Sequence, residues 1–145
     1  MAIKLLEEYC AGHGCANCVK ECTFNGVKMI DGDYNHQEWL DYIQGLENEP
    51  ERGKRCLQCF KLRLLKAAEK SKELNINLFT TTLASSRWKN LEQINEAGFW
   101  AESQVEGVKF WDKNWRKGGL QDRRNALLKE NGFYNQLFCG CEFGR

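Results

Sequence analysis

Two pairs of cysteines are the residues of this sequence best suited to chemistry. Cys56 and Cys59 form a C-x-x-C pair in RCLQCF, and Cys139 and Cys141 flank one glycine in FCGC. Thiolates three residues apart can converge on one metal, and both zinc and iron-sulfur clusters accept this spacing. A disulfide across a single residue is strained, labile and oxidising, as a two-electron relay requires. The pairs are therefore compatible with a zinc clip, a disulfide framework or an iron-sulfur redox site.

A further group of cysteines lies near the amino terminus, where Cys10, Cys15, Cys18 and Cys22 have the spacing C-x4-C-x2-C-x3-C. The first three match a plant-type ferredoxin spacing locally, which alone is a weak signal. Beside the two other pairs, Cys15 and Cys18 become candidates to complete a four-thiolate site.

Composition favours metal or redox chemistry over a disulfide framework. The 145 residues are 42% hydrophobic and 28% charged, a balance typical of one globular domain. The first residues carry Glu7 and Glu8 where a signal peptide needs an apolar run, and no stretch approaches the roughly 20 apolar residues that span a bilayer. We therefore expect a cytoplasmic protein without membrane contact, in a compartment that keeps thiols reduced.

The predicted order is strand, helix, helix, strand, helix, strand, helix, which favours an α/β sheet with crossover helices in a single metal-binding domain over 1–145. Asn35, with Glu38 three residues on, forms a capping-box pattern at one helix start. The predicted elements are a strand over 27–34, a helix from Asn35 to near Gly45, a polar loop over 47–55 that leads to Cys56, and a helix from Cys59 to about Leu74. They continue with a strand over 76–84, a helix within 85–103, a strand over 108–112 and a helix over 122–132. Leu91, Ile94, Ala97 and Ala101 form one apolar stripe on the helix within 85–103.

Candidate substrate-binding residues cluster near these elements. The overall charge is +1, but basic residues dominate 52–70, which indicates either phosphate contact or a solvated face. Arg55, Arg63 and the start of the helix also favour thiolate at the C-x-x-C pair. The hydroxyls of Thr81, Thr82 and Ser86 follow the best strand, where they could line a ligand crevice or merely reflect strand propensity.

The sequence resembles the QueH-type epoxyqueuosine reductases. The similar blocks, in order over roughly 27–143, are MIDGDYNHQEWL, GLENEPERGKRCLQCFKLRL, FTTTLASSRWKNLEQIN, KGGLQ and FYNQLFCGC. This resemblance implies a HUP-like three-layer α/β/α sandwich with a mainly parallel sheet. It also implies an iron-sulfur enzyme that removes the epoxide oxygen of epoxyqueuosine in tRNA, the last step to queuosine.

The resemblance also assigns roles to the cysteines. Cys56 and Cys59 match the family's C-x-x-C metal ligands, and Cys139 and Cys141 match its redox-active C-x-C pair. We therefore expect a 4Fe-4S cluster, with an additional iron as a further expectation, and an electron donor as partner. Arg55, Arg63 and Lys89 are expected to contact tRNA phosphates or the substrate. Asp33, Asp31 or a bound water is expected to donate protons. The five tryptophans, Trp39 among them, are assigned mainly to core or rim packing, and Trp88 is the candidate to stack on a flipped base.

The amino terminus departs from the family pattern. HGCANC resembles the family's early cysteine motif with Gly14 and Asn17 substituted, or else LLEEYC matches a later segment and the motif is missing. Both alignments predict a sheet truncated on its amino-terminal side. A rebuilt ligand set would use Cys10, Cys15 and Cys18.

Three alternatives follow from the same residues. An exposed sheet edge makes a homodimer a reasonable hypothesis. A non-catalytic zinc- or cluster-binding RNA-interaction module is the competing function, with zinc as the alternative cofactor. A small thiol-disulfide protein without metal is the third interpretation.

Overall fold

The computed structural model of the chain describes residues 30–32, 35–135 and 139–144. Its strands are short and its helices longer. The elements are α1 (His36–Tyr42), α2 (Lys54–Glu73), β1 (Leu78–Phe79), a 3-10 helix (Thr82–Ser85), α3 (Leu91–Gln104), β2 (Lys109–Phe110) and α4 (Leu120–Glu130). Within the described part of the chain, no helix is long and apolar enough to cross a membrane.

Asparagine side chains start two of these helices. The Asn35 side chain accepts a hydrogen bond from the Glu38 N–H at the start of α1, at 3.2 Å. The Asn90 side chain accepts one from the Glu92 N–H at the start of α3, at 2.9 Å. Such caps satisfy backbone donors that lack a partner within the helix, and the predicted cap at Asn35 is confirmed.

Strands β1 and β2 pair in parallel, with Leu78 opposite Lys109 and Phe79 opposite Phe110. Helix α3 connects them, because a parallel pair needs a crossover. The expectation of an α/β arrangement with a parallel sheet is confirmed, whereas the HUP-like three-layer sandwich stays a prediction. The strand predicted over 27–34 lies mostly outside the described residues.

The strand predicted over 76–84 was too long, because its threonines end it. The Thr80 hydroxyl donates to the Trp111 carbonyl at 2.8 Å. The Thr81 hydroxyl accepts from the Leu83 N–H at 3.2 Å and thereby caps the 3-10 helix. The Thr80 bond reaches across to the chain that follows β2, whereas the Thr81 bond is local. A threonine hydroxyl that bonds to backbone two residues on competes with strand pairing, so Thr82 lies in a helical turn instead of a strand.

The core lies where α2 and α3 pack on the sheet. Ile94, Ala97 and Ala101 of α3 are fully buried, which confirms the apolar stripe predicted for this helix. Gly98 allows α3 to approach β2, since a Cβ atom there would lie 2.2 Å from the Phe110 ring. This core holds the first turns of α2, which carry the C-x-x-C pair, against a fixed scaffold.

Candidate thiol-lined active site

The C-x-x-C pair lies in the first two turns of α2. The helix begins at Lys54 after Gly53, which provides no side-chain cap. The Cys56 sulfur accepts a hydrogen bond from the Arg52 N–H at 3.2 Å. Residues three apart lie on one helix face, so both thiols point in similar directions. The prediction that a polar loop leads into a helix at this pair is confirmed.

The C-x-C pair belongs to residues 139–144, here called the carboxyl-terminal arm. A hydrogen bond of 3.0 Å from the Gly144 N–H to the Cys141 carbonyl folds the arm into a turn. The Phe143 ring stacks on Trp39 of α1 with 5.9 Å between ring centroids. Aromatic pairs at this distance are attractive, so the stack fixes the arm against α1.

Arg55 fastens the arm to α2. Its side chain is 1% exposed, and its guanidinium donates to the Phe143 carbonyl at 2.9 Å and to the Glu47 carbonyl at 2.8 Å. The guanidinium also donates to the Glu49 carbonyl and lies 5.7 Å from the centroid of the Phe143 ring. These contacts favour a role in holding the arm over the predicted contact with phosphate or substrate.

Lys89 reaches the other end of the arm. Its ammonium nitrogen lies 3.4 Å from the Cys139 sulfur and 5.5 Å from the centroid of the Phe60 ring. The side chain that was predicted to contact tRNA or substrate therefore contacts a thiol.

The four described cysteines are free thiols and line one cavity of about 280 Å³. Walls from α1, α2, the turn before α3 and the arm enclose it. Its positively charged side chains are Arg52, Arg55, Arg63, Lys66 and Lys89, and its large aromatic ones are Trp39, Phe60 and Trp88. The structure thus brings the two predicted cysteine pairs together.

Burial raises the pKa of the Cys56 thiol above its ordinary value, and the neighbouring Cys139 and Cys59 add to the rise. The hydrogen bond from the Arg52 N–H and the charge of Arg55 lower this pKa, but burial raises it by more. The expectation that the helix start and nearby arginines favour thiolate is therefore wrong for Cys56, because desolvation of the charged form dominates. Because Cys139 contributes to the raised pKa of Cys56, these two thiols interact electrostatically.

The predicted hydroxyls lie elsewhere. The cavity that the four cysteines line, here called the thiol cavity, has no described lining residue among Thr81, Thr82 and Ser86. The Thr81 hydroxyl instead caps the 3-10 helix. Arg63 does line the cavity, and its role as a substrate-binding residue stays a prediction.

Four predicted site residues lie outside the described residues, namely Asp33, Cys10, Cys15 and Cys18. Within the described ranges, no three His, Cys, Asp or Glu side chains are grouped as a metal site.

The sequence interpretation missed the residues that dock the arm. Trp39 was assigned to core or rim packing, and Phe143 was given no role. A usable signal was present, since Phe143 follows the second cysteine pair closely, as Phe60 follows the first.

Fold and site together define an α/β protein with a basic, thiol-lined cavity suited to soft-metal or dithiol chemistry. The chain matches the family described as "Epoxyqueuosine reductase QueH" over residues 2–145. It belongs to this family.

Similar curated proteins named Epoxyqueuosine reductase QueH come from several bacteria. The protein of Histophilus somni is 45% identical over 81% of this chain and 49% of its own length. That of Haemophilus influenzae is 44% identical over 81% and 48%, and that of Acinetobacter baylyi is 41% identical over 82% and 55%. The chain thus spans about half the length of these relatives.

Proposed function

We propose that this chain is an iron-sulfur oxidoreductase that reduces the epoxide of epoxyqueuosine in tRNA to give queuosine. Membership of the QueH family supports the reaction, since the similar proteins bear that name. The observation that carries the proposal for this chain is the presence of both cysteine pairs in one cavity. A metal-holding pair and a dithiol must lie together if electrons are to pass between them.

The donor chemistry of the cavity fits an iron-sulfur cluster. Cys56 and Cys59 supply two soft thiolate ligands on one helix face. The remaining two protein ligands would come from among Cys10, Cys15 and Cys18. When bound, a 4Fe-4S cluster, with or without an additional iron, supplies one-electron transfers and Lewis acidity. Because the pKa of the Cys56 thiol is raised, ligation must expel a proton there.

The C-x-C pair can account for the electrons of the reaction. Removing an epoxide oxygen breaks two C–O bonds, leaves a C=C bond and releases water, which requires two electrons and two protons. The thiols of Cys139 and Cys141 release both when a disulfide forms between them. The turn at Gly144 holds the two cysteines on one short arm. A separate electron donor then has to reduce the disulfide.

The rim of the cavity is suited to RNA. Trp88 is 41% exposed, and the Arg87 guanidinium carbon lies 4.9 Å from the centroid of its ring. Exposed aromatic rings and guanidinium planes are platforms on which unpaired bases stack. Arg63 and Lys66 add positive charge along α2. These side chains would bind the phosphates and the modified base of a tRNA in the cytoplasm.

A conversion assay tests the proposal. The chain is purified without oxygen, loaded with iron and sulfide, and incubated with tRNA that carries epoxyqueuosine and a chemical reductant. Nucleoside analysis by mass spectrometry should show queuosine replacing epoxyqueuosine. A Cys139→Ala/Cys141→Ala variant should give none, and a fully loaded wild-type chain without conversion would refute the proposal.

Metal analysis of the same protein separates the competing function. About four iron and four sulfide per chain, with absorption near roughly 400 nm, are expected of a 4Fe-4S protein. One equivalent of zinc without such absorption would favour the non-catalytic RNA-interaction module.

A further inference from the structure

The Lys89 side chain points into the thiol cavity. Its ammonium lies 3.4 Å from the Cys139 sulfur and beside the Phe60 ring, which is 3% exposed. A lysine that only attracts phosphate keeps its ammonium in water, where the solvation of the charge is best. The position of Lys89 therefore indicates a task at the thiol.

The backbone around Lys89 is held from two directions. Arg116 donates to the Lys89 carbonyl at 2.9 Å, and Arg52 donates to the carbonyl of the preceding residue at 2.9 Å. The Lys89 N–H also donates to the Ser86 carbonyl at 3.3 Å. The pKa of Arg116 is lowered by burial and by the charge of Arg52, so two like charges are kept close. Such support preorganises a functional side chain.

The proposed reaction needs a group that moves protons from sulfur to oxygen. The dithiol gives up two protons as its disulfide forms, and the departing oxygen takes up two. Two carboxylates at the cavity face basic side chains: Glu38 pairs with Lys66 at 2.8 Å, and Glu142 lies 3.3 Å from the His36 ring nitrogen. A third carboxylate, that of Glu51, also lines the cavity. Lys89 is in contact with the sulfur itself.

We propose that Lys89 is a catalytic residue, the proton donor to the departing epoxide oxygen; this rests on the function proposed above. Its ammonium gives one proton to the oxygen as a C–O bond breaks and recovers one from the Cys139 thiol as the S–S bond forms. The second proton of the released water is the one that Cys141 loses. Lys89 ends each turnover unchanged, with two electrons passed from the dithiol to the substrate.

Two variants separate proton donation from simple charge. Lys89→Ala should lower kcat about 100-fold or more with little change in KM for tRNA, as loss of a general acid does. Lys89→Arg keeps the charge and the donor but does not release a proton, so its kcat should fall as well. Added ethylamine should restore part of the activity of Lys89→Ala. Lys72→Ala, an exposed change in the last turn of α2, is the matched control and should turn over normally.

Full activity of Lys89→Arg, or a Lys89→Ala defect confined to KM, would overturn the catalytic role. A second readout needs neither metal nor substrate. In the metal-free chain, Lys89→Ala should slow alkylation of Cys139 by iodoacetamide about tenfold relative to Cys141, because a hydrogen bond from an ammonium stabilises charge on sulfur. Mass spectrometry of the peptide that contains both Cys139 and Cys141 compares the alkylation of the two thiols. Unchanged relative rates would overturn the placement of Lys89.

The two readouts also distinguish the two proposals. A loaded wild-type chain that converts no epoxyqueuosine overturns the proposed function, and with it the catalytic role. Conversion by the wild type together with full activity of Lys89→Arg overturns the role of Lys89 alone.

Discussion

The two cysteine pairs that face the cavity are carried by very different parts of the molecule. Cys56 and Cys59 lie on a helix of 20 residues that packs on α3 through a buried face. Cys139 and Cys141 lie on an arm without helix or strand among its described residues, held mainly by Arg55 and Phe143. A metal ligand must keep its geometry, whereas a dithiol must change its own when it is oxidised. The difference in support therefore matches the difference in proposed task.

The largest effect is expected at the helix. Cys56→Ala removes one of the two proposed ligands on the helix, so the variant should not retain the cluster and should not turn over. Iron and sulfide content after anaerobic loading is the measurement. Full iron loading of this variant would refute the ligand assignment.

The next largest effect is expected where helix and arm are joined. Arg55→Met leaves the carbonyls of Glu47, Glu49 and Phe143 without their donor and should lower the free energy of unfolding by about 2 kcal/mol. It should also free the arm, so that a protease cleaves within residues 139–144 faster than in the wild type. Urea denaturation and timed proteolysis measure the two effects.

Arg123→Met, an exposed change on α4, is the control for Arg55→Met and should leave both measurements unchanged. An arm that stays protected in Arg55→Met would show that other contacts hold it.

A smaller effect is expected from the aromatic stack. Phe143→Ala removes the contact with Trp39 and should cost about 1 kcal/mol of stability. Turnover should fall more than iron content does, because the change acts on the arm and spares the helix. Glu142→Gln, which alters a pair whose side chains are about half exposed, should cost less than about 0.5 kcal/mol. Equal losses in the two variants would contradict the importance of the stack.

The smallest effect is expected in the pH dependence of the free energy of unfolding, to which the Cys56 thiol on α2 contributes. Since the pKa of Cys56 is raised above its ordinary value of 9.0, the native chain keeps this proton after the unfolded chain has lost it. The free energy of unfolding of the metal-free chain should therefore decrease as the pH rises above this value. Urea denaturation at about pH 8 and about pH 10, compared with Cys56→Ala, isolates this contribution. Identical slopes in both proteins would contradict it.

Sequence patterns predicted the features that depend on nearby residues. The Asn35 cap, the stripe through Ile94 and Ala97, and the position of the C-x-x-C pair at a helix start were all confirmed. The strand over 76–84 was too long, because a run of threonines has strand propensity but also forms the local hydrogen bonds that end a strand.

The candidate site was predictable as a set of cysteines but not as an arrangement. The contacts of Arg55 with Phe143 and of Lys89 with Cys139 join residues 88 and 50 positions apart, and no local pattern encodes them. The raised pKa of Cys56 depends on burial, which charge counting along the chain leaves out.

One measurement tests the division between the two pairs most directly: the iron content and the single-turnover yield of queuosine in Cys56→Ala and Cys139→Ala, made in parallel. Cys56→Ala should lose both the iron and the queuosine, while Cys139→Ala should keep about four iron per chain and lose the queuosine. Loss of iron in Cys139→Ala to the same extent as in Cys56→Ala would contradict the account, because the arm would then be part of the metal site.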